Sequence, residues 1–211
     1  MTQAPTDGRC ADTLRWDKRF AGDDYFYGTE PNDFLRDHCS AIATHGRVLC
    51  LGEGEGRNAV FLAAQGHSIL AVDLSATGLM KAERLAAKRA VSIQMQVANL
   101  ADYPLGIGCW DAIVSIWCHL PRELRAKVHR RVVTALAPGG VFLLEAYTPA
   151  QLGHQSGGPT AIELLPTLIE LRAELEGLEF VHAQECERII HEGAGHEGLS
   201  AVVQIQAIRR D

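Results

Sequence analysis

Several features that would indicate other protein classes are missing from this sequence. No apolar run approaches the ~20 residues that a membrane span needs, and the first ten residues are polar, unlike a signal peptide. The formal net charge is -6, so the chain has no basic excess of the kind that favours nucleic-acid binding. We therefore expect a cytoplasmic protein with no membrane or nucleic-acid partner.

Cysteine and histidine are present, but not in metal-binding or redox patterns. None of the six cysteines forms a C-x-x-C pair, and several lie in apolar runs, which favours free thiols in a reducing compartment. His191 and His196 lack the i, i+4 spacing of a zinc hydrolase. We expect a solvated hairpin tip there and no metal. The basic segment 122–131 is interpreted as the outer face of a helix, since it contains no aromatic residues for base stacking.

The rest of the chain alternates between strand and helix patterns. Short apolar runs predict strands at 47–51, 68–73, 91–97, 111–117 and 141–147. Amphipathic segments predict helices at 13–20, 33–43, 58–65, 75–89, 121–136 and 161–176, the last broken at Pro166. Two long strands, 179–191 and 199–209, close the chain. These patterns predict an α/β fold: a Rossmann-like three-layer sandwich on a mostly parallel seven-stranded sheet with a C-terminal antiparallel hairpin. Residues 1–12 are expected to be flexible, and 13–211 to form a single domain.

A glycine-rich segment follows the first predicted strand and precedes a helix. Gly52, Gly54 and Gly56 allow a sharp turn and a close approach of ligand to backbone. Ligands of open α/β sheets bind at the carboxyl ends of the strands. Asp73 ends the next strand, about 20 residues on, where a carboxylate can bind both ribose hydroxyls. The alternatives are a structural turn for the glycines and a helix-capping role for Asp73.

A further motif separates this pattern from dinucleotide sites. The third glycine of G-x-G-x-x-G is missing, because Arg57 or Asn58 stands in its place. Leu136-Ala137-Pro138-Gly139-Gly140 precedes the fifth predicted strand. Together with the glycine loop and Asp73, this L-x-P-G-G turn resembles class I S-adenosylmethionine-dependent methyltransferases. Within them the chain is most similar to the small bacterial tellurite-resistance and thiopurine-methylating type. The resemblance implies S-adenosylmethionine as cofactor and S-adenosylhomocysteine as product.

The resemblance also implies which residues hold the cofactor. They come from an N-terminal lid, the glycine loop and the ends of strands two to four: Tyr27, Gly28, Gly52, Glu53, Gly54, Gly56, Asn58, Asp73, Leu74, Asn99, Leu100, Ile116 and Trp117. One position departs from the pattern. Many relatives carry an acidic residue where this chain has Cys50, and a thiol cannot replace a carboxylate. Glu53 or Glu55, inside the loop, is expected to take over that role.

Methyl transfer from a sulfonium is an in-line displacement, so the protein mainly aligns the reacting atoms. A thiolate needs no base, whereas an amine or hydroxyl does. His119 follows the fourth strand and is the candidate base; its alternative role is to cap the next helix or to pack beside the cofactor. Tyr25, Tyr147 and Gln151 are candidate acceptor contacts, with a loop anchor as the alternative for Tyr147 and Gln151.

The sequence therefore predicts a methyltransferase acting on a small molecule. Two alternatives stay open: an NAD-dependent oxidoreductase on a similar sheet, and a non-catalytic cofactor-binding protein on the same fold. The attacked atom of the acceptor, and the choice between monomer and homodimer, also stay open.

Overall fold

The computed structural model describes residues 8–210. Seven strands form one sheet in the order β3-β2-β1-β4-β5-β7-β6. Their bounds are β1 (Arg47–Leu51), β2 (Ser68–Asp73), β3 (Gln94–Val97), β4 (Trp110–Ile116), β5 (Leu136–Tyr147), β6 (Glu179–Glu192) and β7 (His196–Ile208). Strands β1 to β5 pair in parallel, and β7 pairs antiparallel with both β5 and β6. The predicted fold class is confirmed.

Six α-helices connect or precede the strands. They are α1 (Gly8–Arg19), α2 (Asp33–His38), α3 (Arg57–Ala64), α4 (Ala76–Lys88), α5 (Arg122–Ala135) and α6 (Leu168–Glu174). Local chemistry sets several starts: the Ser75 hydroxyl accepts from the Gly78 amide, and Thr167 forms a capping box with Glu170. The helix predicted at 121–136 begins one residue later, at Arg122, because Pro121 is its N-cap and not part of its first turn.

Alternation along each strand divides the buried side chains between two faces of the sheet. Leu49 and Leu51 of β1 face α5 and α6, in one apolar cluster with Val132 and Leu171. Val48 and Cys50 face the other way, in a cluster built with residues of α2, α3 and α4. The result is the predicted three-layer sandwich, because successive strand residues point to opposite faces.

Some boundaries differ from the predictions for identifiable reasons. Helix α2 ends at His38 and tightens into a 3₁₀ turn over Cys39–Ala41. The predicted helix 161–176 is a 3₁₀ turn at Ile162–Leu164 followed by α6, since Pro166 cannot donate an intrahelical hydrogen bond. Strand β5 already begins at Leu136, which pairs with Trp110 before a register shift, so the Pro138-Gly139-Gly140 turn lies inside the strand's bounds.

The N-terminal segment packs against the domain rather than standing apart from it. Residues 1–12 were expected to be flexible. Of these, residues 8–12 form the first turns of α1, which begins at Gly8, and residues 1–7 lie outside the described residues. The Asp17 carboxylate of α1 accepts from the Ser75 hydroxyl at 2.5 Å. Phe20 is buried beneath Gly54 and Gly78. Across residues 8–210, no helix has the length and apolarity to cross a membrane.

Candidate active site

The glycine loop after β1 depends on backbone geometry that other residues rarely adopt. Gly52, Gly54 and Gly56 have φ of +62°, +61° and +89°. A Cβ at Gly56 would lie 2.4 Å from the Ala82 Cβ, and one at Gly52 would lie 2.8 Å from the Cys118 Sγ. The loop therefore needs glycine both for its conformation and for its close packing against neighbouring side chains.

Asp73 is bound to this loop from the neighbouring strand. One carboxylate oxygen accepts from the Gly54 amide at 2.8 Å and the other from the Ser75 amide at 2.7 Å. Burial raises the pKa of Asp73, and the backbone donors oppose that rise. Since each carboxylate oxygen has two lone pairs, the group retains acceptor capacity for a diol. Ser75 itself caps α4.

Glu53 and Glu55 are the two carboxylates of the loop that could replace the acidic residue missing at Cys50. Glu53 lies beside the buried Cys50 thiol, accepts from the Ala59 amide at 2.8 Å, and has its pKa raised to about 7 by burial. Glu55 instead pairs with Lys81 at 2.5 Å. Of the two candidates, Glu53 is therefore the one that puts a carboxyl group next to Cys50.

Strand β4 ends in a sharp reversal. Trp117 has φ of +56°, a left-handed conformation that is uncommon for a bulky residue and is associated with functional sites. Its amide donates to the Glu145 carbonyl, and its own carbonyl accepts from the His119 amide at 3.1 Å. The turn places the Cys118 thiol against Gly52, where burial raises its pKa to about 12.

His119 has a defined tautomer. Its Nδ1 lies 3.1 Å from the Leu164 carbonyl oxygen. A carbonyl only accepts, so Nδ1 carries the proton and Nε2 carries the lone pair. Within the described residues, no hydrogen-bond partner reaches this buried Nε2. Burial lowers the pKa of His119 to about 4, which keeps the ring neutral near pH 7. The neutral ring therefore presents a lone pair on Nε2, while burial disfavours its protonated form.

Five rings gather beyond the ends of β4 and β5, and we call them the ring cluster: Tyr27, Trp117, His119, Tyr147 and His196. The Trp117 and Tyr147 centroids are 4.5 Å apart, and Tyr147 lies 5.6 Å from His119 with the planes 11° apart. The Tyr147 hydroxyl lies 2.6 Å from His196 Nδ1. The ring cluster joins four separate segments of the chain, so no local sequence motif could predict it.

The hairpin tip between β6 and β7 was predicted to be solvated, and this prediction is wrong for Glu192 and His196, which flank the tip. Glu192 and His196 are only 5% and 4% exposed. The tip is covered because it packs on the N-terminal loop, where the Ala194 amide donates to the Phe26 carbonyl at 2.9 Å. His191 does remain exposed. In the described part of the chain, no three His, Cys, Asp or Glu side chains are grouped to hold a metal.

A set of buried charges lies behind the ring cluster, and we call it the ion-pair cluster: Arg57, Glu145, Arg188 and Glu192, with the amide of Asn32. Arg57 meets Glu192 at 2.5 Å, and the Arg188 guanidinium binds Glu145 through two nitrogens at 2.7 and 2.9 Å. The two positive and two negative charges pair off, so burial leaves none of the four without a partner.

Sequence reasoning missed the ion-pair cluster entirely. One signal was available: Glu145 interrupts the apolar run of β5 and is fully buried. A charge in such a run needs partners. The partners come from the N-terminal loop, α3 and the hairpin, at sequence separations of up to 160 residues for Asn32 and Glu192. Neither their identity nor their number was readable from one sequence.

The other predicted residues fall into two groups. Leu74, Asn99, Leu100 and Ile116 lie at or just after the ends of β2, β3 and β4, whereas Gly28 lies against Gly193 of the hairpin tip. Asn58 accepts from the Asn32 amide at 2.9 Å. Tyr25 and Gln151, two of the predicted contacts to the methyl acceptor, use their polar atoms in hydrogen bonds within the protein. The Tyr25 hydroxyl donates to the Lys81 carbonyl, which fastens the N-terminal loop to α4. Gln151 is buried, accepts from the Ala201 amide and donates to Ser156 and Gly157. These bonds describe a loop anchor, the alternative considered for Gln151.

The predicted basic face of α5 is only partly solvated. Arg125 is 3% exposed and binds Glu174 of α6, which also contacts His129 at 2.7 Å. Burial of a cation in this way requires such a partner. The segment thus joins two helices of one layer instead of presenting an uninterrupted charged surface.

Comparison with known proteins shows what this chain is similar to. The family model described as a methyltransferase domain matches residues 48–140. A 2-heptyl-1-hydroxyquinolin-4(1H)-one methyltransferase of Mycobacteroides abscessus is 29% identical over 118 residues, covering 54% of this chain and 52% of that protein. A tRNA 5-carboxymethoxyuridine methyltransferase of Escherichia coli is 33% identical over 109 residues, covering 48% of this chain and 40% of that one. The matches thus span about half the length of these relatives or less.

Solved structures extend the likeness over nearly the whole chain. TehB from Haemophilus influenzae has a TM-score of 0.68 and 18% identity, covering 93% of this chain and 66% of that one. Magnesium protoporphyrin IX methyltransferase from Synechocystis PCC 6803, solved with bound SAH, has a TM-score of 0.67 and 14% identity, covering 96% and 100%. Similarity at this level concerns the fold. Residues 48–140 thus resemble a methyltransferase domain, and the chain as a whole has the Rossmann-like fold of these methyltransferase structures.

Proposed function

We propose that this chain transfers the methyl group of S-adenosylmethionine to a small-molecule acceptor. One observation carries the proposal: the Asp73 carboxylate is hydrogen-bonded to the glycine loop of the adjacent strand, at the carboxyl edge where α/β sheets bind ligands. The residues present fit the cofactor, since the Asp73 carboxylate keeps lone pairs for ribose hydroxyls beside a glycine loop at the ends of β1 and β2.

The proposed cofactor contacts follow the strand ends. Asp73 and Leu74 receive the adenosyl ribose, Asn99 and Leu100 border the adenine, and the glycine loop with Glu53 and Asn58 holds the methionine end. Ile116 and Trp117 form the floor, and Tyr27 with Gly28 covers the site. When bound, the cofactor supplies an activated methyl group on a positive sulfur.

His119 is proposed as the base for a hydroxyl or amine acceptor. The unpartnered Nε2 lone pair supports this role, and the burial that lowers the pKa of the ring to about 4 makes it a weak base. Tyr147, 5.6 Å from the His119 ring, is proposed to contact the acceptor. The attacking atom, methyl carbon and sulfur must then be held in line.

A small-molecule acceptor is favoured over a nucleic acid for two reasons. The net charge is -6, which gives no basic footprint for a phosphate backbone. The basic residues of α5 are partly neutralised, since Arg125 is buried in an ion pair with Glu174 and Arg122 pairs with Glu170. Of the two relatives compared above, one is a quinolinone methyltransferase and the other is a tRNA methyltransferase.

Thermal unfolding with two ligands tests the cofactor. We expect S-adenosylhomocysteine to raise the unfolding temperature and NAD to leave it unchanged, because a ligand stabilises the state that it binds. A shift with NAD alone would favour the oxidoreductase alternative. A screen of metabolites for S-adenosylhomocysteine release then tests turnover, and binding without release across a broad acceptor library would favour a non-catalytic role.

A further inference from the structure

The guanidinium of Arg19, at the end of α1, is held by three contacts although the residue is exposed. Its central carbon lies 5.4 Å from the centroid of the Trp16 ring and 5.1 Å from that of the Phe26 ring. The negative faces of these rings attract the cation. Its Nη1 also donates to the Tyr27 hydroxyl at 3.0 Å. The positive charge of Arg19 is therefore fixed in one place before any ligand binds.

Tyr27 joins this guanidinium to the proposed cofactor site. Its backbone amide donates to the Glu55 carboxylate of the glycine loop at 3.3 Å. Its ring stacks on His196 with centroids 4.6 Å apart, and His196 stacks in turn on Trp117 at the end of β4. Through Tyr27, Arg19 is thus connected to both the glycine loop and the end of β4, the two elements that are proposed to hold the methionine end of the cofactor.

Two other cations pack at the glycine loop, and each already has a carboxylate partner. Arg57 of α3 meets Glu192 at 2.5 Å, and Lys81 of α4 meets Glu55 at 2.5 Å. These four side chains are between 2% and 6% exposed. Because separating a buried pair leaves a buried charge without its partner, neither cation is available to a further anion.

Arg19 differs from these two cations in having no such partner. Within residues 8–210, no ion pair joins Arg19 to an aspartate or glutamate. A guanidinium has five N–H donors, and the bond to Tyr27 uses one of them. Because the Tyr27 oxygen accepts that bond, its own hydroxyl hydrogen is left to donate. A carboxylate matches these donors, since its two oxygens can accept parallel bonds from one guanidinium.

We propose that Arg19 binds the methionine carboxylate of S-adenosylmethionine, with the Tyr27 hydroxyl as a second donor. This inference rests on the proposed function and adds to its site a residue that the sequence motifs did not indicate. The methionine end of the cofactor carries one ammonium and one carboxylate, and the carboxylate calls for a cation. Since Arg57 and Lys81 are engaged, Arg19 is the cation that the described part of the site leaves for it. Helix α1 thereby becomes part of the cofactor site.

Calorimetry with two ligands tests this contact without turnover. S-adenosylhomocysteine carries the carboxylate, whereas S-adenosyl-3-thiopropylamine keeps the adenosyl group, the sulfur and the amine but has no carboxylate. We expect Arg19→Ala to bind S-adenosylhomocysteine about tenfold more weakly than the parent protein does. The same variant should bind the amine with unchanged affinity, because the charge-assisted hydrogen bonds form only with the carboxylate. Unchanged binding of the amine also shows that the variant is folded.

Arg15→Ala is the matched control on the same helix. The Arg15 guanidinium also lies 5.4 Å from the Trp16 ring centroid, but it pairs with Asp12. This control should leave the affinities for both ligands unchanged. Arg19→Lys keeps the charge without the planar guanidinium, so it should restore only part of the lost affinity. Equal losses for the two ligands in Arg19→Ala would show that Arg19 supports the docking of α1 and does not recognise the carboxylate, which would overturn the proposal.

The two proposals fail in different ways. If S-adenosylhomocysteine does not bind to the parent protein, the proposed function is wrong. If it binds to the parent protein and to Arg19→Ala with equal affinity, the proposed function stands and the assignment of Arg19 is wrong. A variant that loses affinity only for an anionic methyl acceptor found in the screen would place Arg19 at the acceptor, and this result would likewise overturn its assignment to the cofactor.

Discussion

The two halves of the sheet's carboxyl edge are built by different means. At β1 and β2 the site is made mainly of backbone: three glycines with positive φ and one aspartate that accepts from two amides. At β4, β5 and the hairpin it is made of side chains, in the ring cluster and the ion-pair cluster. The first half is specified over about 20 residues of sequence. The second depends on contacts between distant segments, so substitutions in it should affect the whole fold.

The largest expected effect is on the side-chain half. Glu192→Ala removes the partner of Arg57 and an acceptor for Trp117 and Asn32. Leaving a buried charge without its partner costs about 3–5 kcal/mol, and we expect a loss of that size in the free energy of unfolding by urea. The control is Glu197→Ala on the same hairpin, whose carboxylate is 62% exposed. That control should change stability by less than about 0.5 kcal/mol.

A similar loss in both glutamate variants would show that the hairpin is generally fragile and that the ion-pair cluster has no special part in its stability. Glu192→Gln sharpens the test, since it keeps an acceptor oxygen and removes the charge. Its stability should lie between those of the parent protein and Glu192→Ala.

This contrast explains what could be predicted from the sequence. The glycine loop, Asp73 and the Ser75 cap are short-range patterns whose chemistry is visible in adjacent residues. His119 was recognised from its place after β4, but its free Nε2 depends on the Leu164 carbonyl, 45 residues away. The burial of Glu192 and His196 was predicted wrongly, because a Gly-rich hairpin tip is ordinarily solvated and the covering N-terminal loop lies about 165 residues earlier in the chain.

The backbone half should respond in ligand affinity more than in stability. Asp73→Ala removes the proposed ribose acceptor, and we expect affinity for S-adenosylhomocysteine to fall at least tenfold in calorimetry, or about 1.4 kcal/mol. Asp111→Ala is the matched control, since that aspartate also accepts a backbone amide, from Arg47 at 2.7 Å, but at the opposite end of β1. Unchanged affinity in Asp73→Ala would remove the ribose assignment. An equal loss in both variants would attribute the effect to stability.

The smallest expected effect concerns the pH dependence of stability at His119. Its pKa is about 4 in the folded protein against 6.5 for the ordinary side chain. Between these values the unfolded chain takes up a proton that the folded protein does not, so stability falls as the pH is lowered from about 6.5 towards 4. At pH 5.5 this contribution is about 1 kcal/mol. Urea unfolding at pH 7.5 and 5.5 should therefore show a smaller acid loss for His119→Gln than for the parent protein. His196, buried in the same cluster with a pKa lowered to about 2, gives an acid dependence of the same sign, so part of the loss should remain in the variant. If the two proteins lose equal stability, burial does not lower the pKa of His119 in the folded protein.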